Sequence, residues 1–242
     1  KKMTKSCQLA AKTLIHIRPF IQAGITTNEI DRIVDDYFRS HGAVAATLNY
    51  HGYPKSCCTS INHVICHGVP DGTKLKDGDI INVDVTCILD DFFGDTSATF
   101  WVGHVSEKAK AITQTAFEAM HKGIEAIRPF GTTGDIGFAI DKFVTRKGYT
   151  AVREIGGHGI GRKFHEEPFV PSFGKKGKGD VLKPWYCITV EPMINETSCK
   201  VKEVDIPGSS HKIYETADKC LSAQFEHTVL ITDTGYEVLT LI

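Results

Sequence analysis

Five residues of this chain have the types and settings to hold metal cations: Asp84, Asp95, His158, Glu191 and Glu226. Four carboxylates and one imidazole form a hard-oxygen donor set with a single nitrogen, which suits Mn, Fe, Co or Zn. Asp84 falls in the strand-like run Ile80–Ile88, and Asp95 opens the run Asp95-Thr96-Ser97-Ala98-Thr99-Phe100. A hairpin turning near Leu89 and Asp90 sets the two aspartates opposite each other across an antiparallel ladder, where facing carboxylates repel. A cation between them would remove that repulsion. Glu191 interrupts the apolar run Cys187–Met193, and Glu226 sits in the strand-like segment Ser222–Ile231. A buried carboxylate must be protonated, paired or metal-bound, because leaving it charged and alone is too costly. His158 lies in Gly156-Gly157-His158-Gly159-Ile160-Gly161, where glycines let backbones approach closely. The spacing of those glycines, with no strand-to-helix switch around them, separates this run from a dinucleotide-binding loop.

Taken singly, each of these carboxylates reads more readily as a surface-facing strand residue. Their joint occurrence on two related halves argues for ligands. His16, His41, His104, His121 and His211 fall in helical or loop settings and read as structural or surface groups. His227 points to the face of its strand opposite Glu226 and is not expected to bind metal. Asp90 and Asp91 read as turn residues.

The elements that must position these residues come in duplicate. Ile17-Arg18-Pro19-Phe20 recurs as Ile127-Arg128-Pro129-Phe130, and Thr26-Thr27-Asn28-Glu29-Ile30 is echoed by Thr132-Thr133-Gly134-Asp135-Ile136. Leu75-Lys76 leads to Ile81-Asn82-Val83-Asp84, as Leu182-Lys183 leads to Ile188-Thr189-Val190-Glu191, so the repeat superposes Glu191 on Asp84. Several matches in the same order and at a nearly constant offset indicate an ancient duplication, with halves of about residues 1–103 and 104–242. Each half predicts a helix ended by proline (about Thr4–Ile17; Ser106–Ile127) and a threonine-capped helix (about Asn28–Ser40; Asp135–Lys147). Strands follow. The expectation is a single catalytic α+β domain over residues 1–242, helices packed on a curved antiparallel sheet, with a shared core and a cleft on the pseudo-two-fold axis. Gly174–Gly179, with three lysines, reads as a solvated loop.

Composition narrows the function classes. A formal net charge of -1 lacks the basic excess of a nucleic-acid module. No apolar run reaches membrane-spanning length and no leader opens the chain, so a cytoplasmic protein without a membrane partner is expected. None of the eight cysteines forms a Cys-x-x-Cys pair, which predicts free, largely buried thiols.

Together these segments resemble the type I methionine aminopeptidases among the pita-bread metallopeptidases. The resemblance rests on Asn49–Ser60 (NYHGYPKSCCTS), Ile61–Pro70 (INHVICHGVP), Gly78–Asp84 (GDIINVD), Gly94–Ser97 (GDTS), Gly157–Gly161 (GHGIG), Val190–Met193 (VEPM) and Ala223–Thr228 (AQFEHT), in the family's order along nearly the whole chain. It implies removal of the N-terminal methionine from nascent polypeptides when the second residue is small, by a dinuclear metal centre that activates a bridging water. Asp84, Asp95, His158, Glu191 and Glu226 would then hold two divalent ions, Asp95 and Glu226 bridging them. Glu191 would also serve as general base, and His67 and His165 would touch the scissile amide. Tyr50, Tyr53, Cys58 and Phe164 would line the methionine pocket. Both histidines precede a proline at the same spacing, in His67-Gly68-Val69-Pro70 and His165-Glu166-Glu167-Pro168, which predicts approach from opposite sides of the metal pair.

The resemblance leaves some points open. A tryptophan often stands at the pocket rim of such enzymes, but Trp101 and Trp185 do not occupy that stretch. Asn195–Lys219 is longer than usual. Its Lys200, Lys202, Lys212 and Lys219 read as a solvated loop first, and second as a basic patch that could dock the ribosome. A monomer is expected. Two other readings keep the fold: cleavage of Xaa-Pro bonds, whose practitioners carry a further N-terminal domain, and a metal-free binding module, against which the intact ligand set speaks.

Overall fold

The structure, a computed structural model, describes residues 1–241. Two helix pairs follow from the apolar spacing and the caps. Helix α1 (Lys2–Ile17) buries Leu9, Ala10 and Ile17 and stops ahead of Pro19. Helix α2 (Thr27–Ser40) starts at a capping box, in which Thr26 accepts from the Glu29 amide and the Glu29 carboxylate accepts from the Thr26 amide at 2.8 Å. Its core stripe is Ile30, Val34 and Phe38. In the second half, α3 (Glu107–Glu125) is capped by Ser106, and α4 (Thr133–Arg146) repeats the box with Thr132 and Asp135 and buries Ile136, Ile140 and Val144.

Backbone bonds repeat with the sequence. Gly24 N–H donates to Leu75 O at 2.8 Å, as Phe130 N–H does to Leu182 O at 2.8 Å. Thr27 to Thr73 (3.0 Å) and Asn28 to Asp71 (2.9 Å) have counterparts in Thr133 to Asp180 (2.9 Å) and Gly134 to Lys178 (2.9 Å). The duplication therefore holds at the level of individual hydrogen bonds. In the second half, the lysine-bearing loop Gly174–Gly179 supplies the Lys178 carbonyl to the start of α4.

The strands are β1 (Val44–Ala45), β2 (Cys58–Ile61), β3 (Val64–Cys66), β4 (Ile80–Leu89), β5 (Phe92–Trp101), β6 (Thr150–Ala151), β7 (Gly157–Gly159), β8 (Glu166–Val170), β9 (Cys187–Val190), β10 (Met193–Asn195), β11 (Val201–Asp205), β12 (Lys212–Thr216), β13 (Ser222–Gln224), β14 (Glu226–Ile231) and β15 (Tyr236–Val238). The main sheet runs β1-β4-β5-β14-β9-β7-β8, with β2 on β4 and β15 on β14, and its named ladders are antiparallel. Strands from both halves meet where β5 pairs with β14. Rather than one shared core, the buried apolar residues fall into two main clusters. One, around Ile30, Val34, Phe38 and Val85, lies under α1 and α2; the other, around Ile112, Ile136, Val190 and Val229, lies under α3 and α4. Polar residues such as Thr96, Thr99, Gln224 and Thr228 occupy the seam between the halves.

Two expectations are corrected here. The β4–β5 turn falls at Asp90-Asp91, both with positive φ (53° and 68°), so Thr86 faces Asp95 and Asp84 faces Ser97. A two-residue hairpin turn of this hand needs positive φ at both central positions, which aspartate tolerates and leucine resists. Asp84 and Asp95 are therefore diagonal neighbours on one face, not a directly opposed pair. The second correction concerns residues 195–219, which fold into the β11–β12 hairpin paired with β3. Lys202 and Lys212 stand on these strands, while Lys219 lies in the exposed turn after β12; Lys212 pairs with Asp205 and Lys219 with Glu215, so these two are not a free basic surface.

The eight cysteines are free, and no helix among the described residues is long and apolar enough to cross a membrane. Helix α1 lies so close on β5 that a Cβ on Gly94 would come within 2.2 Å of the Ser6 carbonyl carbon. Gly94→Ala should therefore push α1 off the sheet and cost about 1–3 kcal/mol. A chemical-denaturation midpoint unchanged from the parent would show that this contact is loose.

Candidate metal centre

The β4–β5 hairpin presents Asp84 and Asp95 from adjacent strands, β7 presents His158, Glu191 follows directly on β9, and Glu226 begins β14. Close packing makes this convergence possible. A Cβ on Gly157 would meet Thr189 O at 2.2 Å, and one on Gly159 would meet Glu167 O at 2.2 Å, so only glycine lets β7 slot in with His158 between its neighbours. Ligand atoms of Asp95, His158 and Glu226 lie within 4.8 Å of one another. His158 Nε2 is 3.7 Å from Asp95 Oδ2 and 3.6 Å from Glu191 Oε1. All five side chains line one cavity of about 340 Å³.

The surrounding polar groups hold this set in place. His158 Nδ1 is 2.9 Å from Gly159 O, so the proton sits on Nδ1 and the Nε2 lone pair is left free for a cation. Thr86 donates to Asp95 Oδ1 at 2.7 Å. Glu191 accepts from Thr189 Oγ1 at 2.8 Å and from Gln224 Nε2 at 3.1 Å. Thr189 Oγ1 also accepts from the His158 amide at 3.0 Å, tying two members of the set together. Asp84 Oδ1 is buried with no hydrogen-bond partner among the described residues. That orphaned oxygen, beside three more carboxylates and a correctly set imidazole, fits divalent cations.

Burial raises the Asp84 carboxyl to about 7. Asp95, Glu191 and Glu226 are driven well above the usual carboxylate range, first by burial and then by the charges of their carboxylate neighbours. Burial pushes His158 down to about 4. Each shift removes a charge that has nothing to balance it.

The cavity wall holds the other residues expected at the site. His67, His165, Tyr50, Tyr53, Cys58 and Phe164 all line it. The His165 ring packs on His158 at 4.2 Å and on Phe164 at 4.3 Å, with Nδ1 2.9 Å from the Tyr50 hydroxyl. His67 instead packs on His211 and Tyr214, with Nδ1 3.1 Å from Lys212 O. The two imidazoles thus reach the cavity through different neighbours. Burial pushes His67 to about 4, and burial with nearby imidazoles pushes His165 to about 3.

One assignment from sequence is overturned. His211 lines the cavity rather than the general surface, because the β11–β12 hairpin delivers it there. Thr47, Glu154 and Ile155 also border the cavity without any signal in the sequence. Trp101 and Trp185 are exposed and lie outside its wall. His227, as expected, turns away from Glu226 and its Nδ1 meets Thr240 Oγ1 at 2.8 Å.

Comparison with known proteins gives a consistent set of relatives. The model of metallopeptidase family M24 matches residues 1–233. A methionine aminopeptidase of Rickettsia prowazekii is 46% identical over 240 residues, covering 99% of this chain and 92% of that protein. The crystal structure of a Rickettsia prowazekii methionine aminopeptidase superposes with a TM-score of 0.96 at 46% identity, covering 99% of this chain and 96% of that one. That from Thermotoga maritima gives a TM-score of 0.94 at 34% identity, covering 100% and 96%. The fold is accordingly the pita-bread fold, a curved antiparallel half-barrel with helices packed on it.

A pH-dependent prediction follows from the raised carboxylates. Glu226 ionises near 4.3 when unfolded but well above that when folded. Across this interval the folded state binds the extra proton, so metal-free protein loses stability as pH rises. Gln cannot ionise. In metal-free samples, the unfolding free-energy advantage of Glu226→Gln over the parent should be smallest at pH 5 and grow toward pH 8, by up to about 1.4 kcal/mol per pH unit. The same variant, like Asp95→Asn, should take up less Mn on elemental analysis. An advantage that does not change with pH would show that Glu226 ionises freely in the fold.

Proposed function

Because the chain belongs to metallopeptidase family M24, we propose that it is a methionine aminopeptidase that removes the first residue of polypeptides when the second residue is small. The carrying observation is the convergence of Asp84, Asp95, Glu191, Glu226 and His158 on one cavity whose wall also carries Tyr50, Tyr53, Phe164 and Phe169. Since that set draws on both halves, residues 1–242 act as one catalytic unit. Asp84, Asp95, His158, Glu191 and Glu226 would hold two divalent cations, with Asp95 and Glu226 shared between them. When bound, such ions supply an activated water and electrostatic stabilisation of the developing charge.

The chain's own groups have distinct tasks. Glu191, with both oxygens oriented by Thr189 and Gln224, takes a proton from the attacking water and passes it toward the leaving amine. The Tyr50 hydroxyl lies 2.9 Å from His165 Nδ1; acting as the donor there, it would leave the His165 proton on Nε2, in place to donate a hydrogen bond to the scissile carbonyl oxygen. His67 donates through Nδ1 to Lys212 O, leaving Nε2 as an acceptor for the scissile N–H. Their lowered pKa values keep both rings neutral at pH 7, so these donor and acceptor roles do not switch. Tyr50, Tyr53, Cys58 and Phe164 surround the methionine side chain, whose thioether packs well against aromatic edges.

Metal-free protein should be inactive on Met-Ala-Ser and recover with Co or Mn. Met-Leu-Ser should be a much poorer substrate than Met-Ala-Ser. Full activity in a sample shown metal-free by elemental analysis would sink this reading, as would equal rates on the two peptides.

His67→Ala and His165→Ala should each keep near-parent metal stoichiometry and melting temperature while kcat falls by about a hundredfold or more. Imidazoles with only a packing role would show the reverse: lower melting temperature with kcat per folded molecule preserved.

A further inference from the structure

A second, wider cavity of about 1520 Å³ opens beside the first. It holds none of the five candidate ligands, but His165, Glu166 and Glu167 line both, so the two meet along that segment. Its apolar wall includes Phe92, Val181, Trp185, Tyr186 and Leu230. Charges of both signs border this groove, which leaves the aromatic wall to carry any selectivity. Trp185 is 70% exposed and Tyr186 42% exposed, although each ring offers a large apolar surface. Tyr186 N–H donates to Lys183 O at 3.3 Å, closing a turn with Pro184 at its second position and Trp185, at φ 71°, at its third. That is the pattern of a type II turn, whose third position favours glycine. A bulky residue there strains the backbone, and the indole, standing in solvent, gains no burial to offset the strain. A strained and exposed tryptophan on the wall of a groove points to a contact made outside the chain.

We propose that this groove binds the downstream part of the substrate polypeptide, with Trp185 packing against an apolar side chain several residues past the scissile bond. The inference rests on the proposed aminopeptidase reading, in which the first residue sits at the metals and the rest of the chain must leave the cavity. Two observations name this occupant. The groove begins where the cavity ends, at His165, Glu166 and Glu167. Strand β9 then measures the interval, since Trp185 stands just ahead of it and Glu191 directly after it. Six positions of near-extended chain separate the two, at most about 20 Å. An extended substrate covers that distance in about five to seven residues. Tripeptides therefore stop short of Trp185, and longer chains reach it.

The test uses metal-loaded parent and Trp185→Gly, with kcat and KM measured for Met-Ala-Ser and two octapeptides. These are Met-Ala-Ser-Gly-Ser-Phe-Gly-Ser and its counterpart with Gly at position six. In the parent, kcat/KM for the Phe peptide should exceed that for the Gly peptide about fivefold or more, the scale of one buried aromatic contact. The difference should lie in KM, because the contact is the same before and in the transition state. Trp185→Gly should bring the ratio to about one while Met-Ala-Ser turnover stays at the parent level. Glycine suits the turn, so the variant should melt no lower than the parent. Equal kcat/KM on the two octapeptides in the parent overturns the proposal, and so does a Phe preference that survives in the glycine variant. A parent that sedimentation shows to be a dimer dissociated by Trp185→Gly would place a second copy in the groove, and overturns it too. Failure of the parent to cleave Met-Ala-Ser would instead overturn the proposed function itself, before Trp185 is in question.

Discussion

Four buried carboxyl groups line one cavity, and they cannot all be ionised there without counter-charge. At an effective dielectric of about 20, two like charges about 4 Å apart already repel by about 4 kcal/mol. The carboxyls of Asp84, Asp95, Glu191 and Glu226 answer in the metal-free state by holding protons far above their ordinary pH range. Divalent cations would answer it more completely, since they would let the carboxyls ionise and offer the unpartnered Asp84 Oδ1 a partner. Metal affinity, fold stability and pH response are thus expressions of the same crowding.

The seam between the halves is where that crowding is concentrated. Asp95 and Glu226 stand on β5 and β14, whose ladder has only two registered pairs, Glu226 with Ser97 and His227 with Thr96. Hydroxyls complete the junction: Thr96 donates to Glu226 O at 2.7 Å, Thr99 to Gln224 O at 2.7 Å, and Thr228 to Asp95 O at 2.8 Å. The apolar clusters lie to either side, each under its own helix pair. A polar seam flanked by two rigid cores can hold charged ligands to a fixed geometry, because the packing that resists movement lies just beyond the groups that need it.

Imidazole placement shows how backbone carbonyls set chemistry. His158 and His67 each spend Nδ1 on a carbonyl, and His165 spends its Nδ1 on the Tyr50 hydroxyl. The two carbonyls fix the protons of His158 and His67 on Nδ1 and leave their Nε2 atoms as lone pairs, whereas the Tyr50 hydroxyl can pair with either tautomer of His165. The Lys212 carbonyl that orients His67 belongs to the same hairpin that supplies His211, so one element outside the duplication serves two neighbouring rings.

Local patterns in the chain were enough to determine the helices, the duplication and which carboxylates and imidazole gather at one cavity. Apolar spacing and threonine caps specify α2 and α4 because a helix is decided by residues three and four apart. A carboxylate such as Glu191, set in an apolar run, declares itself because burying it unpaired is too costly. The diagonal placement of Asp84 and Asp95 came from the conformation of the turn, in which Asp90 and Asp91 both adopt positive φ. His211 was beyond local reading altogether. It sits in a polar stretch with no periodicity, and its place was decided by hydrogen bonds to His51, far away in the chain. Contacts of that separation leave no spacing in the sequence, since each partner is chosen by where the whole fold brings it and not by its own neighbours.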